Sequence, residues 1–252
     1  MLVLISIFFL FQINCEEITQ KSNSKIKAAI FDLDTLIDTQ IILDEINQLL
    51  INKYGDGREY SSAYKMITHG SSLIFENRFI FEQYKINITF EEFKEIKDDY
   101  IKNKFNKFHN ISEGAKELTN ILKNKLGIKI VLITSLHKDF IELALPNYKE
   151  WFNSEFDMII TGDDKRIKHG KPSPDIFILA AESLGNKPEE CIIFEHSLQG
   201  IKAAMSSGIR WIIGIPDSLS TKYVFENFQY NVYKINFIIL KSLKDFDISI
   251  FD

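Results

Sequence analysis

The stretch AAIFDLD, residues 28–34, joins an apolar run to two closely spaced carboxylates. A short apolar run of this kind is typical of a strand that is covered on both faces of a parallel sheet. Asp32 and Asp34 stand where this strand ends, and on the loop that follows both carboxylates can face one small space. One can then act as a nucleophile and the other as an acid and base, provided that their surroundings separate their pKa values.

Further apolar runs follow along the chain, and polar or reactive residues come directly after them. The runs occupy residues 128–133, 158–160, 191–194, 211–215 and 236–240. Stretches with the apolar spacing of helices lie between them, at residues 112–125, 139–145, 174–184 and 198–207. This alternation predicts an α/β fold with a Rossmann-like parallel sheet. Ligands bind at the carboxyl edge of such sheets, so the residues that follow the strands are candidates for a site.

Roughly 80 residues separate the first two predicted strands, far more than an ordinary crossover connection needs. They carry helical patterns at 41–54, 73–84 and 89–108 and no convincing strand. We therefore predict a helical cap domain at residues 40–111, inserted between two segments of the core domain, 26–39 and 112–252.

The chain opens with an apolar run, LVLISIFFLFQI at residues 2–13. A transmembrane helix needs about 20 apolar residues, so this run predicts no stable membrane span. It fits the hydrophobic region of a signal peptide at residues 1–15, cleaved near Cys15 and followed by a linker at 16–25. This interpretation predicts a secretory or extracellular location. A buried N-terminal strand and a mistaken start codon are the alternatives.

Composition narrows the class of protein. The chain has 252 residues, of which 45% are hydrophobic, so it can bury a sizeable core. Thirty Lys and Arg residues face 35 Asp and Glu residues, for a net charge of −5. This balance argues against a nucleic-acid partner. Two cysteines cannot form a disulfide scaffold, and oligomeric state is not readable from the sequence.

Several further residues are candidates for phosphate chemistry. Thr134 and Ser135 follow the second strand and offer hydroxyl and backbone donors, although simple helix capping explains them equally well. Lys171 lies in a loop stiffened by two prolines, where a held ammonium group would neutralise a phosphoryl oxygen. Glu195, after the fourth strand, could hold a hard cation directly or through water. In the cap, His69 beside Gly70 is a candidate substrate contact.

In this order, the motifs resemble the haloacid dehalogenase-like hydrolase superfamily. The matching segments are FDLD at 31–34, LIDT at 36–39, LITS at 132–135, GKPSPDIF at 170–177, and FEHS at 194–197 with Gly200. The helical insertion resembles the C1 cap of that family. The segments TGDD at 161–164 and IPD at 215–217 look most like its pseudouridine-5′-phosphatase branch, with glycerol-phosphate phosphatases and β-phosphoglucomutase as near relatives.

The resemblance implies a phosphatase that acts on a small phosphorylated metabolite, either a sugar phosphate or a nucleotide-like phosphate. Asp32 would form an aspartyl-phosphate, and Asp34 would protonate the leaving alcohol and then activate water. Thr134, Ser135 and Lys171 would bind the phosphoryl group. Mg²⁺ would be held at a site formed by Asp32, Asp34, Glu195 and His196.

The sequence departs from the family pattern at three places, and these departures leave two alternative functions open. The usual glycine after the second aspartate is missing, so Thr35 follows Asp34 directly. His196 stands where relatives carry an aspartate that binds Mg²⁺, which makes Mn²⁺ a second possible cation. Ser71 and Ser72 occupy the cap position where relatives often place a basic residue. The alternatives are a catalytically impaired domain that binds a ligand or a protein, and a sugar-phosphate mutase.

Overall fold

The structure is a computed structural model that describes residues 25–105, 110–144, 146, 148–216 and 235–251. Its centre is a six-stranded parallel sheet in the order β3-β2-β1-β4-β5-β6. The strands are β1 Ala28–Asp32, β2 Lys129–Ile133, β3 Met158–Ile160, β4 Cys191–Glu195, β5 Trp211–Gly214 and β6 Asn236–Ile239. The predicted α/β fold with a parallel sheet is confirmed.

The chain between β1 and β2 is helical, and the described part of it contains no strand. Its helices are α1 Leu33–Leu36, α2 Gln40–Tyr54, α3 Ser62–Thr68, α4 Leu73–Gln83, α5 Phe90–Phe105 and α6 Ala115–Asn120. A π-helical stretch, Ile121–Lys125, continues α6. Helices α2, α4 and α5 share a core that includes the fully buried Ile46, Leu50, Ile80, Phe93 and Ile101. The exact limits of the cap domain stay a prediction.

Helices cover both faces of the sheet, which is why its strands are apolar throughout. The remaining helices are α7 Lys138–Ala144, α8 Lys149–Glu155, α9 Asp175–Ser183 and α10 Leu198–Ser206. Side chains alternate between the faces along a strand. In β1, Ala28 and Ile30 therefore join the cluster under α9 and α10, whereas Ala29 and Phe31 join the cluster that contains Trp151 of α8.

The register of the parallel strands brings three chain segments to one edge. Asp32 pairs with Ile133, the last residue of β2, so Thr134 follows beside it. Phe31 pairs with Phe194, so Glu195 at the end of β4 lies level with Asp32. The candidate residues after β1, β2 and β4 therefore meet at the carboxyl edge of the sheet.

Three α-helices of the described ranges were not predicted from the sequence, α1, α3 and α8. The first has four residues and the other two have seven, too few for a helical spacing of apolar residues to stand out. After β6 the chain forms a 3₁₀ turn, Leu243–Asp245. The predicted signal peptide and almost all of the predicted linker lie outside the described residues, so they and the secretory location stay predictions. No helix in the described ranges combines the length and the apolar character that crossing a membrane requires.

Candidate active site

Asp32 and Asp34 are positioned by the turn of helix that follows β1. Asp32 is the N-cap of α1, and its Oδ2 accepts a hydrogen bond from the Asp34 backbone N–H at 3.1 Å. Asp34 Oδ1 accepts three hydrogen bonds, from the backbone N–H and hydroxyl of Thr39 at 2.8 and 2.6 Å and from the backbone N–H of Gln40 at 3.1 Å. The shortened loop therefore still holds both carboxylates on one side.

Lys171 forms ion pairs with both Asp32 and Glu195 at the carboxyl edge of the sheet. Its Nζ lies 2.5 Å from Asp32 Oδ1 and 2.5 Å from Glu195 Oε1, and its side chain is only 1% exposed. Burial alone would raise the pKa of Asp32, but Lys171 and His196 hold it well below its usual value. Burial alone would lower the pKa of Lys171, and the two carboxylates raise it above its usual value. Asp32 is thus an ionised carboxylate and Lys171 a charged ammonium at neutral pH.

Glu195 is held in place from its other side. Its Oε2 accepts hydrogen bonds from the backbone N–H groups of His196 and Ser197, at 2.6 and 2.7 Å, and from the Ser197 hydroxyl at 3.1 Å. A Cβ atom on Gly200 would come within 1.6 Å of Glu195 Oε1, so this arrangement requires glycine at that position. Both oxygens of Glu195 have partners in this arrangement, and its expected role as a cation ligand, directly or through water, stays a prediction.

His196 completes a cluster of possible ligand atoms with the two aspartates. One ligand atom from each of Asp32, Asp34 and His196 can be chosen so that all lie within 4.8 Å of one another. The ring of His196 is buried, and its Nδ1 lies 3.0 Å from Asp32 Oδ2. Its Nε2 has no hydrogen-bond partner among the described residues, whereas Nδ1 faces the Asp32 carboxylate. A buried polar group without a partner calls for an explanation, and a divalent cation held by two carboxylates and an imidazole fits these residues.

The surroundings shift the pKa of Asp34 in the opposite direction from that of Asp32, and they also shift the pKa of His196. Burial, with Asp32 nearby, raises the pKa of Asp34 to about 6, although His196 opposes the shift. Burial lowers the pKa of His196, but the neighbouring carboxylates, Asp32 first, raise it to about 10. A carboxyl group with a raised pKa beside one with a lowered pKa is the arrangement that assigns an acid and a nucleophile.

A narrow cavity opens in front of the aspartates. Its core wall is formed by Asp32, Asp34, Thr134, Ser135 and Leu136. Thr134 Oγ1 accepts a hydrogen bond from the Leu136 backbone N–H at 3.1 Å, as a capping residue does, and so turns this loop. Because Thr134 and Ser135 share the cavity with Asp32, they are placed where a phosphoryl group bound at Asp32 would lie.

The cap closes this cavity through a contact at Gly70. The Ser135 hydroxyl donates to the Gly70 carbonyl at 3.1 Å. Gly70 has a φ of +71°, and a Cβ atom there would lie 2.0 Å from Ser197 Oγ, so any side chain would separate the cap from the core. His69 is directed elsewhere: its Nε2 lies 2.9 Å from Asp44 Oδ1. The predicted substrate contact of His69 gains no support from this placement, and the residue is not among the described lining of the cavity.

The family model that matches residues 26–208 is that of a haloacid dehalogenase-like hydrolase. The chain belongs to this family. A Saccharomyces cerevisiae protein named "probable pseudouridine-5′-phosphatase" is 33% identical over 76% of this chain and 83% of its own. The phosphorylated carbohydrates phosphatase of Thermotoga maritima is 30% identical over 77% of this chain and 87% of its own. Both the resemblance and the prediction of a hydrolase are confirmed.

Solved structures support the fold of this haloacid dehalogenase-like hydrolase. A family IA, variant 3 HAD hydrolase from Entamoeba histolytica superposes with a TM-score of 0.70 at 22% identity, over 90% of this chain and 97% of its own. A β-phosphoglucomutase from Clostridium difficile gives 0.70 at 23% identity, over 89% of this chain and 94% of its own. At these identities the likeness concerns the fold alone.

Some residues of this hydrolase's site were not predicted from the sequence. Thr39 anchors Asp34, Ser197 anchors Glu195, and Gln40 and Glu76 line the cavity from the cap. Thr39 directly precedes α2, so its place before a helical pattern was an available signal. Glu76 lies within a helix, and no local feature of the sequence distinguishes it from a solvent-exposed glutamate.

Proposed function

We propose that this protein is a phosphatase that hydrolyses a small phosphomonoester through an aspartyl-phosphate on Asp32. The proposal rests on one observation above all: Asp32 is a buried, ionised carboxylate at the wall of a cavity, 2.5 Å from the ammonium group of Lys171. An anionic phosphoryl group needs a cationic partner to approach a carboxylate. The names of the relatives, phosphatases of sugar-like and nucleoside-like phosphates, agree with this chemistry.

In the first step, a carboxylate oxygen of Asp32 forms a bond to phosphorus while the bond from phosphorus to the alcohol oxygen breaks. Asp34 gives its proton to that oxygen, and its raised pKa, about 6, keeps the proton available near neutral pH. In the second step, Asp34 takes a proton from water, whose oxygen attacks phosphorus and releases phosphate from Asp32. One difficult hydrolysis is thereby divided into two easier steps.

The other residues hold the phosphoryl group. Thr134 and Ser135 line the core wall of the cavity, and Lys171 supplies positive charge at Asp32. Asp34 carries and transfers the proton, and the three hydrogen bonds on its Oδ1 fix the orientation of its carboxyl group. Glu195 is a positioning residue, because it contacts Lys171 and is not among the described lining of the cavity.

A divalent cation would be held by Asp32, Asp34 and His196. When bound, it would offset the repulsion between the carboxylates and the incoming phosphate. Mg²⁺ prefers an all-oxygen set of ligands, whereas imidazole suits transition metals. Because His196 brings a nitrogen donor to the two aspartates, we propose that the site favours Mn²⁺ over Mg²⁺.

Replacing His196 with Asp is expected to shift cation preference toward Mg²⁺. An oxygen donor replaces nitrogen, so the ratio of the Kd for Mg²⁺ to the Kd for Mn²⁺ should fall by about tenfold or more. Titration of the protein with each cation, followed by calorimetry and by the electron spin resonance of Mn²⁺, measures this ratio without turnover. An unchanged ratio would show that His196 does not contact the cation.

Hydrolysis of p-nitrophenyl phosphate tests the proposed function. We expect turnover with Mn²⁺ or Mg²⁺ that a chelator abolishes and added cation restores. Hydroxylamine added during turnover converts an acyl phosphate to a hydroxamate, and mass spectrometry should locate it at position 32. Absence of turnover with both cations would favour the impaired, ligand-binding alternative, and turnover without modification of Asp32 would overturn the mechanism.

A further inference from the structure

The cap wall of the cavity is acidic and contains no basic side chain among the described residues. Its lining residues are Gln40, Leu43, Gly70, Ser71, Leu73 and Glu76. Glu76 is the charged member of this set, and it is 4% exposed. The cavity is narrow, so the few polar groups that line it decide what it accepts.

Glu76 is held by partners that engage only one of its oxygens. Oε1 accepts hydrogen bonds from Asn47 Nδ2 at 2.5 Å and from Lys97 Nζ at 3.3 Å. Among the described residues, Oε2 has no hydrogen-bond partner. The carboxylate is therefore fixed in orientation by one oxygen and keeps an unused acceptor on the other, in a residue that lines the cavity.

The ion pair behind this carboxylate is costly for the fold. Lys97 is completely buried, and Glu76 nearly so. Desolvating two charges offsets most of their attraction, and a well-packed apolar pair would serve stability equally well or better. Burial of this pair beside the cavity is thus better explained by what Glu76 does for a ligand than by what it does for the cap.

The nearby basic groups are also engaged with acids. Lys65 Nζ lies 3.0 Å from Asp44 Oδ2, and His69 Nε2 lies 2.9 Å from Asp44 Oδ1. Lys97 contacts Glu76 in the same way. The cap end of the cavity therefore offers a hydrogen-bond acceptor and no uncompensated positive charge among the described residues, so a second phosphate on the substrate would meet Glu76 without a free cation to bind it.

We propose that Glu76 selects the leaving alcohol: Oε2 accepts a hydrogen bond from a hydroxyl of a compact polyol or sugar that carries a single phosphate. This inference rests on the proposed function and extends it to a substrate class. Bisphosphates are disfavoured by the same carboxylate. A hydrogen bond to a charged, buried acceptor discriminates strongly, because a substrate that lacks the hydroxyl desolvates Oε2 without giving it a partner.

Glycerol 1-phosphate and propyl phosphate form a matched pair of probes, since they differ only in two hydroxyls. We expect kcat/KM for glycerol 1-phosphate to exceed that for propyl phosphate by about tenfold or more. In the double variant Glu76→Leu, Lys97→Met, which removes both buried charges together, the ratio should fall close to one.

Glu82→Leu, on the exposed side of the same helix, is the control and should keep the wild-type ratio. If the double variant is too unstable to assay, Glu76→Gln replaces it, and we expect its kcat/KM ratio for the two esters to lie between the wild-type ratio and one. An unchanged ratio in folded variants, equal rates for the two esters in wild type, or a preference for fructose 1,6-bisphosphate over fructose 6-phosphate would overturn the proposal. Failure of p-nitrophenyl phosphate hydrolysis in wild type would instead overturn the phosphatase function, and the Kd ratio of the two esters would then decide the role of Glu76.

Discussion

Asp32→Asn is expected to lower kcat for p-nitrophenyl phosphate by about 10⁴-fold or more, with the fold retained. An amide oxygen is a far weaker nucleophile than a carboxylate, and removal of a covalent nucleophile costs effects of this order. The substitution keeps the size of the side chain and leaves Lys171 its contact with Glu195. Steady-state kinetics with a saturating cation measures the loss, and circular dichroism checks the fold.

Asp99→Asn provides the matched control for this variant, because Asp99 lies exposed on α5 in the cap and the same chemical change there should leave kcat within about twofold. The two variants separate loss of the nucleophile from loss of negative charge in general. If Asp32→Asn kept more than about a tenth of wild-type kcat, an aspartyl-phosphate on Asp32 could not lie on the reaction path.

Lys171→Met is expected to destabilise the protein by about 3–5 kcal/mol and to remove most of its activity. Methionine fills similar space but leaves the carboxylates of Asp32 and Glu195 buried side by side without their cation, and removing one partner of a buried ion pair has costs of this size. Urea unfolding followed by fluorescence measures the change in the free energy of unfolding.

Lys168→Met in the same loop is the control for Lys171, since Lys168 is exposed and should change stability by less than about 0.5 kcal/mol. Addition of Mn²⁺ should restore part of the stability of Lys171→Met, because a cation held by Asp32 would replace some of the lost positive charge. A Lys171→Met protein as stable as wild type would mean that the carboxylates tolerate each other's charge, and the ion pair would then not organise the site.

The sheet and its active edge were predictable because both depend on local patterns. Apolar runs covered on both faces predict parallel strands, and parallel strands deliver the residues that follow them to one edge. The sequence alone therefore predicts that Asp32, Thr134 and Glu195 lie close together. The register of β1 with β2 and β4 agrees with this prediction. Short helices such as α3 were not predictable, since tertiary packing rather than periodicity stabilises seven residues.

The chemical roles of the site residues were less predictable from the sequence than their positions. Glu195 was expected to bind a cation, but Lys171 and the N–H groups at the start of α10 occupy both of its oxygens. His69 directly precedes Gly70, which lines the cavity, yet the Nε2 atom of His69 lies 2.9 Å from Asp44 Oδ1. A residue type restricts what a side chain can bind, whereas its partners decide what it does bind, and most of these partners are distant in the chain.

The order of apolar runs, helical periods and polar strand ends determined the class of fold and the family, and it singled out Asp32 and Asp34 as candidates for the reacting carboxylates. These features are local in the chain, since each depends on neighbours within a few residues. Only the tertiary structure decided that His196 lies with the two aspartates, that Gly70 contacts Ser197, and that Glu76 pairs with Lys97 beside the cavity. Contacts between distant segments depend on packing geometry, and no short stretch of sequence contains that geometry.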